Sequence, residues 1–300
     1  MRNYFILLAI SLIPYYGFSQ SEKFPQNPQE AKFVTDDIPR FWRAFDSVGI
    51  SSTNPFEQYI VQGSKGVKGF IPNRILSADS LLSMVKRKKE VYERFRDVEP
   101  RIKQKEKEIL PYFYALEYWY PEAVYPPVYF VFGRFNSGGT ISEDGLLIGA
   151  EKLTDLDGLA NMVVHESIHF QQKWPDGTPT LLQQSIFEGA ADFLAELVTG
   201  KTSNEKAYAY GKAHEAALKK EFVDLMDKKD YQDWLYGTSG KDDRPNDLGY
   251  WIGYKIVKAY FDKTTNKHQA VKEILTVQDC HAFLKASGYL EGIKIESIKE

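Results

Sequence analysis

Two histidines spaced four residues apart restrict how this chain can fold. His165 and His169 belong to the sequence His-Glu-Ser-Ile-His, and apolar side chains recur at helical spacing through residues 156–163 before them. This pattern predicts a helix that begins near Thr154 or Asp155 and carries both histidines. Positions i and i+4 are neighbours on one helix face, so both imidazoles can bind one ion. Zinc accepts nitrogen ligands at about 2.0–2.1 Å, which suits such a pair.

Two glutamates extend the motif. Glu166 directly follows the first histidine, so we expect it to lie beside the ion, where it can take a proton from the attacking water. Glu188 follows His169 by 19 positions, within a second helical segment. A helix, a turn and an antiparallel helix would return its carboxylate to the histidines. Because a catalytic zinc normally has three protein ligands and one open position, His165, His169 and Glu188 are the predicted ligands.

The residues after Glu188 support this arrangement. Asp192 lies one helical turn further on the same face, where its carboxylate can accept a hydrogen bond from a ligating imidazole. Gly189, Ala190 and Ala191 keep the second helix slim. We therefore expect its backbone to approach the histidine helix closely.

These motifs resemble the gluzincin metallopeptidases, which include thermolysin-like enzymes and aminopeptidase N. Residues 170–187 lie between His169 and Glu188, and this spacing is that of aminopeptidase N. Glu188 and Asp192 match the thermolysin-like Glu-x-x-x-Asp pattern. The segments YPEAVYPPVYFVFGRFNSGGT, GLLIGAE, EGAADF and DRPNDLGYWIGYKIVKAY also resemble a bacterial family of predicted zinc-dependent proteases related to gliding-motility lipoproteins. The resemblance covers about residues 35–265. It implies an α+β, mostly helical, zincin-like fold with a small β-sheet before the histidine helix, and one zinc ion.

Departures from the gluzincin patterns limit what the resemblance implies. The strand motif that binds a free amino terminus in aminopeptidase N is absent, and residues 149–151 are only superficially similar to it. Gln171 occupies a position where thermolysin-like patterns prefer an apolar residue. The choice between endopeptidase and exopeptidase action therefore stays open.

A hydrolase of amides also needs a donor for the oxyanion of the transition state. Gluzincins commonly use a downstream tyrosine or histidine, and the segment DLGYWIGYKIVKAY predicts a helix capped by Asp247 with Tyr250 and Tyr254 on one face. The spacing between Glu188 and Tyr250 is similar to that in aminopeptidase N, so we select Tyr250 as the catalytic donor. Tyr254 and Arg244 stay open as alternative oxyanion donors. The sequence is equally compatible with Tyr250 and Tyr254 being aromatic residues of the core without a catalytic role.

The N-terminus has the pattern of a secretory signal peptide. Arg2 precedes a short apolar run, residues 5–13, and Gly17 and Ser19 are small residues ahead of a cleavage site before Gln20. We therefore predict a signal peptide at residues 1–19 and an exported, periplasmic or secreted protein, with an uncleaved anchor as the alternative. The single cysteine, Cys280, cannot form an internal disulfide.

Net charge and hydropathy exclude two classes of protein. The chain has 38 basic and 41 acidic residues and a net charge of −3, which excludes a strongly basic nucleic-acid-binding protein. No apolar run reaches the roughly 18 residues of a conventional transmembrane helix. The expected partner is a peptide or protein substrate, and the oligomeric state stays open.

Periodicity and turn residues divide the mature chain into a helical N-terminal portion, residues 20–110, and a catalytic portion, residues 111–300, which together form one unit. Residues 20–35 predict a loose arm, and residues 77–110 predict one or two amphipathic helices that are broken or kinked near Pro100.

Two β-rich runs precede the histidine helix. Residues 127–135 and 145–151 predict strands, and the segment between them predicts a turn or a loosely paired edge strand. The edge at residues 138–142 would line the cleft, a role that rests mostly on the resemblance.

The sequence therefore predicts a zinc-dependent peptidase with Glu166 as general base. Two alternatives stay open: an envelope- or motility-related interaction protein that retains the zincin fold, and a zinc hydrolase of a non-peptide amide or ester.

Overall fold

The chain folds into helices around one small sheet, which agrees with the predicted α+β class. The computed structural model describes residues 23–173, 177–202, 204–231, 233–236 and 244–293. The predicted signal peptide, residues 1–19, lies outside these ranges. Within them, no helix has the length and apolar character that crossing a membrane requires.

The described residues form a sheet of four strands in the order β1-β2-β4-β3. Their bounds are β1 Phe33–Val34, β2 Val128–Val131, β3 Gly139–Ser142 and β4 Gly145–Gly149. Strand β2 is parallel to β1 and to β4, whereas β3 is antiparallel to β4 and pairs Gly139 with Ile148. Every residue of β2 and β4 is buried, as their continuous apolar runs require. The predicted edge strand is confirmed as β3, but the predicted loose arm is wrong, because it contributes β1.

Between residue 23, where the described part of the chain begins, and β2, there are six α-helices. Their bounds are α1 Asp37–Asp46, α2 Phe56–Gln62, α3 Lys65–Phe70, α4 Ala78–Arg87, α5 Lys89–Glu93 and α6 Val98–Trp119. The break predicted near Pro100 is confirmed at residues 94–97, between α5 and α6, and Pro100 itself lies in the first turn of α6, where no backbone N–H is needed. Helix α6 continues through Pro111, whose exposed position lets water satisfy the carbonyl that loses its partner.

The C-terminal half is helical in the residues that the structure describes. The bounds are α7 Leu159–Gln171, α8 Leu181–Thr199, α9 Glu205–Ala213, α10 Glu215–Leu225, α11 Leu248–Lys263, α12 Lys267–Leu275 and α13 Cys280–Ser287. Helix α7 starts later than predicted. The Asp155 carboxylate accepts a hydrogen bond from the backbone N–H of Asp157, which makes a turn there instead of a helix cap.

Helices α8 and α11 cross at a pair of glycines. A Cβ atom on Gly253 would lie 1.6 Å from the carbonyl oxygen of Ser185, and one on Gly189 would lie 2.1 Å from the carbonyl carbon of Gly253. The slim face predicted for α8 at Gly189 therefore faces α11 and not the histidine helix, which corrects the sequence-based expectation. This crossing brings Tyr250, one turn before Gly253, alongside the α8 residues that precede Gly189.

A buried carboxylate supports the loop between β2 and β3. Glu151 is 1% exposed, and its Oε1 accepts a hydrogen bond from the backbone N–H of Phe135 at 3.1 Å. Burial raises the pKa of Glu151 to about 7, against the lowering effect of backbone N–H donors that include Gly133. The loop that leads into β3 is thus anchored by a group that folding prefers to keep protonated.

We expect Gly253→Ala to lower the free energy of unfolding by at least about 2 kcal/mol, because its methyl group overlaps the Ser185 carbonyl. Gly158→Ala is the matched control, since no heavy atom lies within 4 Å of its added Cβ, and we expect a change within about 0.5 kcal/mol. Urea unfolding measures both. Equal stability of the two variants would contradict the close helix crossing.

We also expect the stability contribution of Glu151 to depend on pH. Because its folded pKa lies above the unfolded value of 4.5, the contribution is fully present below that value and is lost as pH rises through about 7. Glu151→Gln does not titrate, so its stability relative to the wild type should increase by about 2 kcal/mol between pH 5 and pH 8. Parallel stability curves for the two proteins, from urea unfolding at each pH, would exclude this role.

Candidate metal centre

Helix α7 presents both histidines to one carboxylate of α8. The Nε2 atom of His165 lies 3.5 Å from Oε2 of Glu188, and the Nε2 atom of His169 lies 3.1 Å from the same oxygen. The two imidazole rings are nearly perpendicular, with centroids 4.6 Å apart. The i, i+4 spacing and the antiparallel return of α8 therefore bring together the three predicted ligands.

The geometry and chemistry of these three groups fit zinc. One ligand atom from each of His165, His169 and Glu188 lies within 4.8 Å of the other two. Two ligands at about 2.1 Å from a tetrahedral ion are separated by about 3.4 Å, close to both nitrogen–oxygen distances. Two imidazoles and one carboxylate are also the ligand set of a catalytic zinc with an open fourth position.

Side chains around the histidines determine which ring nitrogens face the centre. Asp192 Oδ1 lies 2.9 Å from Nδ1 of His165, and Gln172 Oε1 lies 2.8 Å from Nδ1 of His169. Both acceptors favour the tautomer with hydrogen on Nδ1, which leaves the Nε2 lone pairs for a metal. Asp192 also accepts a hydrogen bond from the Tyr208 hydroxyl at 2.9 Å, which holds its carboxylate in place.

The ring of His169 has further support from α8. It stacks on Phe187 with centroids 4.4 Å apart and an interplanar angle of 17°. Gln172 donates from Nε2 to the backbone carbonyl of Phe187 at 2.9 Å. The imidazole is thus held on its face and at its outer nitrogen.

The imidazoles and carboxylates of the site shift one another's pKa values in the direction that favours the charged forms. Burial alone would lower the pKa of His165, but the carboxylates of Asp192 and Glu188 raise it well above its ordinary value. Burial alone would raise the pKa of Glu188, but the imidazoles of His169 and His165 lower it well below its ordinary value. The Glu188 carboxylate is therefore ionised in the fold, as a metal ligand must be.

The second oxygen of Glu188 has its own hydrogen-bond network. Its Oε1 accepts hydrogen bonds from the Tyr236 hydroxyl and, at 3.1 Å, from Nε2 of Gln184. Gln184 also donates to the Tyr236 oxygen at 2.6 Å, and the Tyr250 hydroxyl is hydrogen-bonded to Tyr236. Gln184 and Tyr236 are not among the site residues predicted from the sequence. Gln184, one turn before Glu188, could have been found from its spacing, whereas no pattern marks Tyr236.

Glu166 lies beside the ligands and is 7% exposed. A Cβ atom on Gly139 would lie 2.3 Å from Oε1 of Glu166, so the carboxylate rests against the backbone of β3. Burial raises the pKa of Glu166, while the imidazoles of His169 and His165 oppose that shift. A raised pKa suits a carboxylate that accepts a proton.

Of the three candidates for the oxyanion donor, Tyr250 is the one whose ring lies near His165. Its ring is 6.3 Å from that of His165, and burial raises its hydroxyl pKa well above the usual value, so the hydroxyl keeps its proton. The Tyr254 ring packs 5.0 Å from that of Tyr208, and its hydroxyl bonds Glu196, away from the three ligands.

Arg244 has contacts outside the centre. Its Nη1 lies 2.8 Å from the Glu221 carboxylate, and its guanidinium lies over the Trp234 ring. These contacts are with α10 and with the segment before α11, so the geometry favours Tyr250.

We expect the protein to bind one zinc ion, and His165→Ala or Glu188→Ala to abolish tight binding. Asp192→Asn should weaken zinc affinity about 10- to 100-fold, because the His165 imidazole loses its charged acceptor. Asp262→Asn, which removes a carboxylate paired with Lys258 on α11, is the matched control and should bind as the wild type does. Competition with a chromophoric chelator measures the affinities. An Asp192→Asn affinity equal to that of the control would contradict the orienting role.

One protein family is similar to this chain over its candidate metal centre. No curated protein and no solved structure matches this chain. Residues 133–281, just under half of the chain, match the model of a family described as predicted Zn-dependent protease (DUF2268). The matched range contains Glu166, the three candidate ligands and Tyr250. The chain is therefore similar, over its candidate metal centre, to a family of predicted zinc-dependent proteases.

Proposed function

We propose that this protein is a zinc-dependent peptidase in which Glu166 is the general base and Tyr250 the oxyanion donor. The observation that carries the proposal is the convergence of His165, His169 and Glu188 within 4.8 Å, with Glu166 on the same helix. The similarity to predicted zinc-dependent proteases supports it. The gluzincin-type spacing of the motifs supports the same mechanism.

In the proposed peptide hydrolysis, zinc, Glu166 and the residues that orient the histidines have separate roles. When bound, zinc polarises the scissile carbonyl and lowers the pKa of a water molecule towards about 7. Glu166 accepts a proton as water attacks the carbonyl carbon, and delivers it to the amide nitrogen as the C–N bond breaks. Asp192 and Gln172 hold the two imidazoles in the tautomer that keeps Nε2 available.

Tyr250 supplies the neutral donor. Its hydroxyl stays protonated at physiological pH, because burial and the nearby Glu188 carboxylate raise its pKa. Without substrate the hydroxyl donates to Tyr236, so its single O–H must rotate from that partner to reach an oxyanion. In the transition state its O–H can donate to the oxyanion, where such a donor acts more strongly than on the neutral carbonyl.

The substrate binds along β3 in this proposal. Strand β3 is at the end of the sheet order, so one of its edges has no neighbouring strand among the described residues. An extended peptide can add to that edge through main-chain hydrogen bonds. Because Gly139 lies against Glu166, such a peptide passes beside the general base.

The predicted signal peptide supports an exported, periplasmic or secreted enzyme. This location would give the enzyme access to peptides and proteins of the cell envelope or the medium.

We expect the zinc-loaded protein to cleave members of a peptide library, and Glu166→Gln to lower kcat at least about 100-fold, since the base is lost. Zinc content should be unchanged, because Glu166 is not a ligand. Mass spectrometry of the digests, with and without a chelator, gives the measurement. Cleavage by Glu166→Gln at the wild-type rate would remove Glu166 from the mechanism.

We expect Tyr250→Phe to lower kcat about 100- to 1,000-fold, the cost of losing one oxyanion donor. Tyr254→Phe, one turn along the same helix, is the matched control and should stay within a few-fold of the wild type. Steady-state kinetics on one cleaved peptide compares the two. Similar losses in both variants would indicate a packing role for these tyrosines.

A further inference from the structure

Arg74 is a cation near the centre that the proposed mechanism does not use. It belongs to the π-helical turn Ile71–Ile75, which follows α3. Its Nε atom is buried and has no hydrogen-bond partner within the part of the chain that the structure describes. Leaving a buried donor unpaired is unfavourable, and more so for a charged group, because the lost hydrogen bonds to water are not replaced. A ligand that brings an acceptor would recover that free energy.

Two hydrogen bonds tie this turn to the loop that leads into β3. Arg134 donates from Nε to the backbone carbonyl of Arg74 at 2.9 Å, and Asn136 donates from Nδ2 to the carbonyl of Asn73 at 3.3 Å. The same loop continues to Gly139, against which the Glu166 carboxylate rests. Arg74 is therefore held at the side of the cleft where the peptide would lie.

The electrostatic effects agree with this placement. The Arg74 guanidinium is close enough to the Glu166 carboxylate for the two charges to attract each other. Burial lowers the pKa of Arg74, whereas Glu166 and Tyr236 oppose that shift. Nevertheless, Arg74 forms no ion pair with any carboxylate of the described ranges, so its charge is available to a ligand.

The backbone that presents Arg74 is strained. The N–H of Leu76 closes the turn onto the carbonyl of Ile71 at 2.7 Å, and Leu76 adopts φ 68° and ψ −62°. This conformation is strained for a leucine. Because the Leu76 side chain is 51% exposed, its burial compensates for little of that strain. Strained residues and π-helical turns are common at functional sites, which is consistent with a turn kept for the position of Arg74.

We propose that Arg74 binds a carboxylate of the peptide substrate, either the α-carboxylate at its C-terminus or the side chain of an acidic residue. A guanidinium is a planar fork of donors that binds a carboxylate through two parallel hydrogen bonds, and Nε is one of the donors of that fork. This inference rests on the proposed peptidase function, because the peptide along β3 brings the carboxylate to Arg74. It makes Arg74 a residue that determines specificity.

Binding of defined peptides to zinc-loaded Glu166→Gln, which should bind without cleaving, tests the inference. The probes are an N-acetylated alanine hexapeptide with a free C-terminal carboxylate, the same peptide as its C-terminal amide, and amides that carry one internal glutamate or, as controls, glutamine. Calorimetry gives each Kd. We expect one of the two peptides that carry a carboxylate to bind at least about 10-fold more tightly than its uncharged counterpart. Hydrogen bonds between charged groups contribute binding free energy of that order. The preferred probe identifies which carboxylate is recognised.

In the Glu166→Gln background, Arg74→Gln should reduce the ratio of the Kd values of the uncharged and the carboxylate peptide to about 1. Arg74→Lys should retain part of the preference. Arg87→Gln, which removes an exposed arginine of α4, is the matched control and should keep the full preference. In otherwise wild-type enzyme, Arg74→Gln should raise KM for the preferred peptide about 10-fold with kcat changed less than about 3-fold. Zinc content should be unchanged.

The outcomes separate this inference from the peptidase proposal. If the wild type cleaves peptides but charged and uncharged probes bind equally, the role of Arg74 is wrong and the peptidase proposal stands. An equal loss of affinity for both probes in Arg74→Gln also overturns the role, since a merely structural arginine would behave in that way. If no peptide is cleaved, the peptidase proposal fails, while a preference that Arg74→Gln removes still supports carboxylate binding.

Discussion

The approach of one Glu188 oxygen to two imidazole nitrogens is the contact around which the rest of the centre is arranged. A carboxylate buried to 6% exposure must be compensated, because an isolated buried charge is costly. One oxygen faces His165 and His169, and the other accepts hydrogen bonds from Tyr236 and Gln184. With both oxygens engaged, the carboxylate holds α8 against α7 and keeps the three ligand atoms together.

Packing away from the ligands makes this contact possible. Gly189 and Gly253 let α8 and α11 approach so closely that neither position has room for a methyl group. The approach places Tyr250 beside His165 and lets its hydroxyl bond Tyr236. The opposite side of the cleft is built differently, since Gly139 of β3 lies directly against Glu166. Glycine backbone thus adjoins the candidate site on both sides.

Much of the candidate site was predictable because its residues lie on regular helices. A fixed repeat determines that His165 and His169 share one face, and that Asp192 follows Glu188 by one turn. The predictions failed where structure depends on distant partners. Strand β1 has two residues and forms only because β2 is available, and an Asp155 turn delays the start of α7. The signal peptide and the division of the chain near residue 110 stay predictions.

The amino-acid sequence by itself predicted a ligand set and a general base, and it determined the mostly helical class, because these follow from residue spacing within and between neighbouring helical segments. Only the tertiary structure decided that Tyr236 contacts Glu188, that Glu151 is buried beneath the loop before β3, and that the Nε of Arg74 is buried without a hydrogen-bond partner among the described residues. These residues come from loops and turns far apart in the chain, where no periodicity relates them. Their positions depend on how helices and strands pack, and packing is a property of the whole fold.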